Sequence, residues 1–401
     1  MVRRILITNS TIQIGLIGST GSIGEQTLDV VKELNQAGFN CEITALATGQ
    51  NIKRLREQVS IFRPKTVFID SYKNSPNVIR EFEDQQIEWN SLETLAIRED
   101  IDVLIVASTG LVSLKPVIEA LKVGKKVALA NKESLVVGGQ AVRDALAIGQ
   151  NLGAELLPID SEHSAVWQCL WGEEDDAVKE LILTASGGAF RDYKPSELAD
   201  VTPQAALKHP TWLMGQKVTI DSATLFNKGL EAVEARWLFN IPIEKIKILQ
   251  HKESIVHSMV AFQDGSIKAQ LGEPDMRLPI QIAITHPKRA ANEPSAALDL
   301  AKHGSLNFSK VNHEMYPALQ VALEAGQRED TAMAAVAGAD EAAVALFLSG
   351  EIPFTDIPKL LRYTLDNHAG TPQPTLDDSL KAEEWGRNFV AVGHINQSYT
   401  R

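Results

Sequence analysis

Residues 12–24 read Ile12-Gln13-Ile14-Gly15-Leu16-Ile17-Gly18-Ser19-Thr20-Gly21-Ser22-Ile23-Gly24, an apolar run that leads directly into a glycine-rich turn. The apolar run at 12–17 predicts a buried strand, and the pattern after the turn predicts a helix over residues 25–34. Glycines at such a junction permit a tight turn and let backbone N–H groups approach a pyrophosphate. The spacing is GxxGxxG rather than GxGxxG, which also suits a purely structural turn. Its place in the first strand–helix unit favours a dinucleotide site.

The same alternation continues to about residue 160. Further strands are predicted at 43–47, 66–69, 103–107 and 126–130, with helices at 52–59, 114–121 and 133–148. The predicted strands are β-branched and almost continuously apolar, as strands buried on both faces are. Alternating strands and helices form right-handed units with a parallel sheet. We therefore expect an α/β protein whose residues 1–160 form a Rossmann-like domain.

The pattern changes after residue 160. Strands are predicted at 181–184, 217–220, 246–249, 256–262 and 266–271, with a helix at 223–239. The last two strands flank Asp264-Gly265, which is a hairpin signal. Residues 161–290 are thus expected to form an α+β domain and residues 291–312 a linker. Residues 313–401 are Ala-rich and predict a helical bundle.

Composition excludes several classes of protein. The chain has 401 residues, 44% hydrophobic and 22% charged, with a net charge of −12. This mixture excludes a mainly disordered chain, and the acidic balance argues against a nucleic-acid binder. The two cysteines form neither a disulfide framework nor a CxxC zinc site. We expect no membrane span, no nucleic-acid partner and a cytoplasmic location.

Three carboxylates are candidates for a metal site. Asp160 and Glu162 are two residues apart and point the same way if the backbone is extended. Glu231 shares a predicted helix face with Asn227. Three clustered carboxylates need cationic partners, protonation or a divalent ion, and oxygen ligands favour Mg²⁺ or Mn²⁺. The alternative is a helix start in which Ser161 caps and Glu162 lies in the first turn, with Glu231 on the surface.

Polar groups at two further junctions suggest a monophosphate pocket. Ser186-Gly187-Gly188 follows a predicted strand, and Asp221-Ser222-Ala223-Thr224 is expected to begin a helix that carries Lys228. Hydroxyls, free N–H groups and an ammonium suit a phosphate, although a glycine turn and a serine cap are the structural alternatives. The loop from His209 to Gly215 contains Trp212 and could close over a ligand.

The end of the second predicted strand bears on the choice of cofactor. Enzymes that prefer NAD usually carry an acid there, but residues 47–51 contain none. Lys53 and Arg54 follow and suit the ribose phosphate of NADP, unless they only solvate a helix face.

In combination, these motifs closely resemble the 1-deoxy-D-xylulose 5-phosphate reductoisomerase family over essentially the whole chain. The motifs that carry the resemblance occur in register: Gly18–Gly24, Asn131-Lys132-Glu133, Asp160–His163, Ser186–Gly188, His209–Gly215, Ser222–Lys228 with Glu231, and Pro274-Asp275-Met276-Arg277. The resemblance implies a homodimer that isomerises its phosphosugar and reduces the product with NADPH to 2-C-methyl-D-erythritol 4-phosphate, in the non-mevalonate isoprenoid pathway. It also implies a requirement for Mg²⁺, Mn²⁺ or Co²⁺.

The resemblance also implies roles for individual residues. The metal ligands are Asp160, Glu162 and Glu231. The remaining substrate contacts are Lys132 and Ser161 at the carbonyl and hydroxyl end, Ser186, Ser222, Asn227, Lys228 and His209 at the phosphate end, and Trp212 in the closing loop. The cofactor contacts are Thr20, Gly21, Ser22 and Ile23 at the pyrophosphate, Gly49, Gln50 and Asn51 at the adenosine, Asn131 and Glu133 in the cofactor wall, and Met214 and Gly215 near the nicotinamide.

The chain departs from the family pattern at two places. Gln50 stands where the family often has Lys, which would leave the adenosine phosphate to Arg54 or Lys53. Residues 337–341 read Ala-Gly-Ala-Asp-Glu instead of an Asn-rich stretch, a difference that we interpret as structural. The alternative function is another NADP-dependent dehydrogenase of the semialdehyde or homoserine type, which needs no acidic triplet. A non-catalytic nucleotide sensor should carry a DNA-binding or partner module, and the sequence shows neither.

Overall fold

The computed structural model describes residues 11–212, 214–291 and 297–395. Its contacts divide the chain into two compact units. The first consists of the described parts of Met1–Asn131, Asp144–Ile159 and Met276–Ala296, and the second of Lys132–Arg143, Asp160–Asp275 and Ala297–Arg401. The C-terminal helices group with the central region, so a separate linker and a separate helical domain stay predictions.

The first unit contains a seven-stranded sheet in which every pairing is parallel. Its strands are β1 (Ile12–Ile17), β2 (Cys41–Thr48), β3 (Thr66–Ile69), β4 (Glu88–Trp89), β5 (Val103–Val106), β6 (Lys126–Leu129) and β7 (Glu155–Pro158). Their order across the sheet is β4-β3-β2-β1-β5-β6-β7. The direction of winding reverses between β1 and β5, and ligands bind at such a switch point in doubly wound sheets. The α/β prediction with a Rossmann-like parallel sheet is confirmed.

The second unit contains a mixed sheet of five strands. These are β8 (Val178–Ala185), β9 (Ile246–Gln250), β10 (Val256–Phe262), β11 (Ile267–Leu271) and β12 (Ser309–Lys310), in the order β11-β10-β8-β9-β12. The β10–β11 pair is the hairpin expected at Asp264-Gly265, where Gly265 has φ +89°. Only β8 and β9 pair in parallel.

Sixteen helices are assigned within the described residues. They are α1 (Ser22–Gln36), α2 (Ile52–Phe62), α3 (Pro76–Glu83), α4 (Leu92–Ala96), α5 (Leu114–Lys122), α6 (Lys132–Gly149), α7 (Ser161–Leu170), α8 (Pro203–Ala206), α9 (Gln216–Thr224), α10 (Phe226–Phe239), α11 (Arg277–Thr285), α12 (Leu300–His303), α13 (Pro317–Gln327), α14 (Ala332–Ser349), α15 (Ile357–Asn367) and α16 (Leu376–Ile395). The backbone of α6 leaves helical angles at Gly138.

Two helices that carry candidate site residues, α7 and α10, pack against the core of the mixed sheet. Val166 of α7 and Ala232 of α10 belong to one buried cluster with Leu181, Leu183 and Val260 of the sheet. Apolar contact with the same sheet therefore holds α7 and α10 beside each other. The polar residues at the start of α7 and along α10 consequently converge.

Helix α14 requires a correction to the composition argument. By length and hydropathy, Ala332–Ser349 could cross a membrane, although we expected no membrane span from the sequence. However, 61% of this window is buried within the protein, and α14 packs against α15 and α16. It is the central helix of the C-terminal helical part, which explains its apolar composition.

Three local predictions in the second unit were wrong. The predicted strand at 217–220 is part of α9, and Asp221–Thr224 ends this helix rather than beginning one. A break at Leu225, with φ +55°, separates α9 from α10. The residues around Asp160 are not extended, because Asp160 is the N-cap of α7 and Glu162 lies in its first turn. In the first unit, the short strands β4 and β7 were not predicted.

Candidate active site

Three carboxylates meet in the second unit. Asp160 and Glu162 stand at the start of α7, and Glu231 lies in the second turn of α10. One oxygen from each carboxylate lies within 4.8 Å of the other two. The helix-start alternative correctly places Glu162 in the first turn of a helix, but the N-cap is Asp160 rather than Ser161, and Glu231 is buried rather than on the surface. Three converging carboxylate oxygens match the donor set of Mg²⁺ or Mn²⁺.

Two lysines are bonded to these carboxylates. The Lys132 ammonium is 2.9 Å from Asp160 Oδ2 and donates to Asn227 Oδ1 at 2.7 Å. The Lys228 ammonium donates to Glu162 Oε1 at 2.7 Å and also to Glu231. Asn227 donates to the other oxygen of Glu231. The carboxylates are therefore held in place from several sides.

The electrostatics of the cluster differ from one acid to the next. Burial raises the pKa of Glu231 to about 8, and the nearby charge of Glu162 adds to this effect. Burial acts in the same direction on Asp160, but the nearby positive charges of Lys132, His163 and Lys228, together with the contact to Lys132, outweigh it and hold the pKa below its usual range. Three carboxylates thus share this site with two lysine ammonium groups. A divalent ion would supply the missing positive charge.

A buried histidine–carboxylate pair supports this cluster and was missed by the sequence analysis. His163 Nε2 donates to the backbone carbonyl of Glu231 at 2.8 Å. Its Nδ1 lies 3.6 Å from a carboxylate oxygen of Glu234, and both side chains are fully buried. Burial raises the pKa of Glu234 to about 7. The available signal was the helical spacing of Glu231 and Glu234, which places both on nearly the same face of α10.

The glycine turn after β8 forms a second polar group of residues. Ser186 Oγ is 3.1 Å from His209 Nε2 and accepts a 3.4 Å hydrogen bond from the N–H of Gly188. A Cβ at Gly188 would lie 2.4 Å from the carbonyl oxygen of Ser222. Because only glycine permits this approach, the turn packs directly against the end of α9. The structure thus brings together three of the five residues predicted at the phosphate end: Ser186, His209 and Ser222.

His209 also organises the loop that leads into α9. Its Nδ1 accepts hydrogen bonds from the N–H groups of Thr211 and Trp212, at 3.1 and 2.9 Å. An Nδ1 that accepts leaves the proton of the neutral ring on Nε2, which faces Ser186. Burial lowers the pKa of His209 to about 4, so the ring is neutral near pH 7. The Trp212 ring lies 6.2 Å from the ring of His257, and Leu213 lies outside the described residues.

Asn227 and Lys228 are bonded differently from what the sequence analysis predicted. Both side chains contact the carboxylate cluster, as described above, rather than Ser186 or His209. Their phosphate role stays a prediction. Both residues lie on α10 within one turn of Glu231.

Two contacts from the C-terminal helical part reach these elements and were not predicted. The hydroxyl of Tyr316 is buried and donates to the carbonyl of Gly187 at 3.0 Å. Asp340 of α14, in the stretch that departs from the family pattern, lies 2.6 Å from the ammonium of Lys217 on α9. Neither contact has a local sequence signal, because its partners are more than 100 residues apart in the chain.

The first unit holds a cavity of about 220 Å³ at the switch point of its sheet. The residues lining it include Gly18, Thr20, Gly21, Thr48, Gly49, Asp70, Ser108 and Thr109. Thr20 Oγ1 lies 2.5 Å from Thr48 Oγ1, which joins the ends of β1 and β2. Asn131 donates to the carbonyls of Ser108 and Gly110 and fixes the loop after β5. The cavity therefore has the position and the glycine lining of a dinucleotide site.

The remaining cofactor candidates are divided between the two units. Ser22 and Ile23 begin α1, Gln50 is exposed, and Asn51 caps α2 by accepting from the Arg54 N–H at 3.1 Å. Glu133, Met214 and Gly215 belong to the second unit.

Arg54 is already engaged, because its guanidinium bonds both oxygens of Glu25 and also Glu57. Of the two cations considered for an adenosine phosphate, Lys53 is the exposed one.

Comparisons with known proteins agree along the chain. Family models match residues 14–139 (1-deoxy-D-xylulose 5-phosphate reductoisomerase), 156–239 (its C-terminal domain) and 271–389 (DXP reductoisomerase C-terminal domain). The reductoisomerase of Shouchella clausii is 45% identical over 91% of this chain and 96% of its own length. That of Acaryochloris marina is 42% identical, with 96% of each chain covered.

Solved structures give the same result. The Zymomonas mobilis enzyme in complex with NADPH has a TM-score of 0.86 at 36% identity, covering 97% of this chain and 100% of its own. A reductoisomerase in complex with NADPH, fosmidomycin and magnesium has a TM-score of 0.85 at 31% identity, covering 96% of this chain and 99% of its own.

Proposed function

Since the chain belongs to the 1-deoxy-D-xylulose 5-phosphate reductoisomerase family, we propose how its residues carry out this reaction. The enzyme isomerises 1-deoxy-D-xylulose 5-phosphate and reduces the product to 2-C-methyl-D-erythritol 4-phosphate, with NADPH and a divalent metal. A single observation carries the assignment of the site: the convergence of Asp160, Glu162 and Glu231 within 4.8 Å. The semialdehyde or homoserine dehydrogenase alternative needs no such triplet and is not favoured.

The carboxylate cluster would hold the metal. Its residues fit a hard divalent cation, because the three oxygens converge and the acid at its centre, Glu231, is 2% exposed. When bound, such an ion polarises a substrate carbonyl and stabilises negative charge on the neighbouring oxygens. The Lys132 ammonium contacts Asp160, and the Ser161 hydroxyl contacts Glu162. Both groups would donate hydrogen bonds to the carbonyl and hydroxyl oxygens of the substrate.

The group formed by Ser186, His209 and Ser222 would receive the substrate phosphate. It offers two hydroxyls, the Nε2–H of neutral His209 and the N–H groups of the glycine turn. Asn227 and Lys228 would contribute from α10, by releasing contacts that they make with the carboxylates. Phosphate binding is remote from the rearranging bond, so its energy can fix the substrate and close the loop carrying Trp212.

The cavity of the first unit would bind NADPH, which supplies the hydride. The turn Thr20–Ile23 would hold the pyrophosphate at the start of α1, and the segment 49–51 would hold the adenosine end. We propose Lys53 as the cation for the ribose phosphate, since the guanidinium of Arg54 already binds Glu25 and Glu57. Asn131 would keep the wall of the cavity in place through its two carbonyl contacts.

We further propose that the enzyme is a homodimer in the cytoplasm, with no nucleic-acid or membrane partner. The acidic charge and the burial of α14 support the last two points. Light scattering on a size-exclusion column gives the assembly state, and a mass of one chain would contradict the dimer.

The decisive experiment is NADPH oxidation by the purified protein with 1-deoxy-D-xylulose 5-phosphate and Mn²⁺, before and after chelation. We expect turnover that the chelator abolishes and that added Mn²⁺ or Mg²⁺ restores. Turnover that persists after chelation would contradict the metal site. If NADPH binds but no turnover occurs with this substrate, the proposed activity itself is wrong.

A further inference from the structure

Buried charges outside the metal cluster connect α9 with α14. The ammonium of Lys217 lies 2.6 Å from Asp221 Oδ2 on its own helix and 2.6 Å from Asp340 Oδ2 on α14. Asp340 is 0% exposed and Asp221 1%. Burying two acids with one lysine is costly, because the desolvation of the charges opposes their attraction.

The position of this network in the chain suggests the function. Lys217 lies two residues after Gly215, which ends the closing loop and caps α9. Asp221 directly precedes Ser222, and the carbonyl of Ser222 packs against the Gly188 backbone of the phosphate turn. Both ends of α9 therefore lie next to the proposed phosphate pocket. Asp340 of α14 contacts α9 through Lys217.

We propose that Asp340 is a positioning residue for phosphosugar binding, which fixes α9 through Lys217. This inference rests on the proposed function. Asp340 does not touch the substrate; it sets the place of Ser222 and of the loop that precedes α9. Helix α14 contains residues 337–341, whose departure from the family pattern we interpreted as structural. Through Asp340, this helix thereby contributes to the site.

The protonation of the network is consistent with this role. Burial raises the pKa of Asp221 to about 8, and the neighbouring carboxylate of Asp340 adds to the effect. Burial also raises the pKa of Asp340. One proton shared by the two carboxylates makes the group neutral overall with Lys217. An amide at position 340 would reproduce this balance, because it is neutral and can still accept from Lys217.

The test begins with wild-type turnover, which decides the proposed function independently. In Asp340→Ala, we expect the KM for the phosphosugar to rise about fivefold to tenfold, as for a lost buried polar contact, with a smaller change in kcat. The KM for NADPH should change less than the KM for the phosphosugar, because the dinucleotide cavity lies in the first unit. Asp340→Asn should restore the phosphosugar KM to within about twofold of wild type.

The matched control is Val344→Ala, one turn further along α14. Val344 is buried and apolar, so this change weakens packing without touching Lys217. It should lower the melting temperature and leave the phosphosugar KM unchanged. A KM that rises equally in Asp340→Ala and Val344→Ala, or in neither, would overturn the proposal.

If Asp340→Ala does not fold, Lys217→Met tests the same contact from the less buried side, since the Lys217 side chain is 33% exposed. It should reproduce the rise in phosphosugar KM, and an unchanged KM in this variant would also overturn the proposal.

Discussion

Glu231 is the residue on which most of the site depends. Its carboxylate is bonded by Asn227 and Lys228, and its backbone carbonyl accepts from His163. A change to this side chain should therefore alter metal binding without removing the backbone support. The carboxylates of Asp160 and Glu162 are more exposed, at 15% and 17%, and each is held by a lysine.

We expect Glu231→Gln and Asp160→Asn to weaken Mn²⁺ binding and to lower kcat about 10²- to 10³-fold, the usual loss for one electrostatic stabiliser of the transition state. Mn²⁺ titration by calorimetry and steady-state kinetics measure both effects. The matched control is Glu329→Gln, because Glu329 is an exposed acid paired with Arg236. Near-normal kcat in both site variants would remove these residues from the metal site.

The burial of His209 makes the stability of the protein depend on pH. Its pKa falls from 6.5 to about 4, so the folded protein binds fewer protons than the unfolded chain between these values. Stability from this group is therefore complete above pH 6.5 and decreases as the pH falls towards 4. The decrease should be shallower in His209→Gln.

Urea unfolding at several pH values across this interval measures the difference. His313→Gln is the control, since His313 is exposed and should leave the wild-type slope unchanged. An equally steep loss of stability in wild type and His209→Gln would contradict this role of the buried ring.

At the scale of elements, the sequence predicted the first unit better than the second. The strands β1 and β3 have the predicted bounds, because continuous β-branched runs in a parallel sheet are a strong local signal. The run Val218-Thr219-Ile220 has the same composition but lies in α9. Its helical state depends on tertiary contacts such as the one with Asp340, which local propensity does not contain.

The residues of the candidate site also differ in whether the sequence alone could identify them. Residues in compact motifs, such as Asp160 with Glu162, could be identified from the sequence and are brought together by the structure. Supporting residues such as Glu234, Tyr316 and Asp340 could not, because their roles arise from burial and from partners distant in the chain. The convergence of α7 and α10 likewise requires the core of the mixed sheet, which no motif encodes.

The turn between β1 and α1 supports a prediction on this scale. Gly18 and Gly38 both have φ +89°, but a Cβ at Gly18 would lie 2.5 Å from the carbonyl carbon of Ala107, whereas one at Gly38 would meet nothing within 4 Å. Gly38→Ala should cost about 1–2 kcal/mol of stability, the cost of the left-handed backbone alone. Gly18→Ala should cost more and weaken NADPH binding, because β1 and β5 must separate at the cavity.

Urea unfolding and a fluorescence titration with NADPH distinguish the two effects. Gly38→Ala is the matched control for backbone strain and should bind NADPH normally. Equal losses of stability in the two variants, with unchanged NADPH affinity, would show that close packing at Gly18 has no part in cofactor binding.

On the scale of the whole molecule, two ligands are assigned to two compact units. The dinucleotide cavity is built from residues of the first unit, and the carboxylate cluster from residues of the second. Each ligand should therefore stabilise its own unit in the absence of the other, since a ligand that binds the folded state suppresses local opening.

Hydrogen exchange followed by mass spectrometry can test this assignment. NADPH alone should slow exchange in residues 18–24 and 47–51, the segments proposed to hold it. Mn²⁺ alone should slow exchange at the start of α7 and along residues 227–231, which carry the proposed ligands, and a chelator should reverse the effect. The helix α16 belongs to neither site and serves as the internal control. Protection by Mn²⁺ in residues 18–24 but not at the start of α7 would place the metal elsewhere. Protection in both units by Mn²⁺ alone would show that metal binding is coupled to the dinucleotide unit before the cofactor arrives.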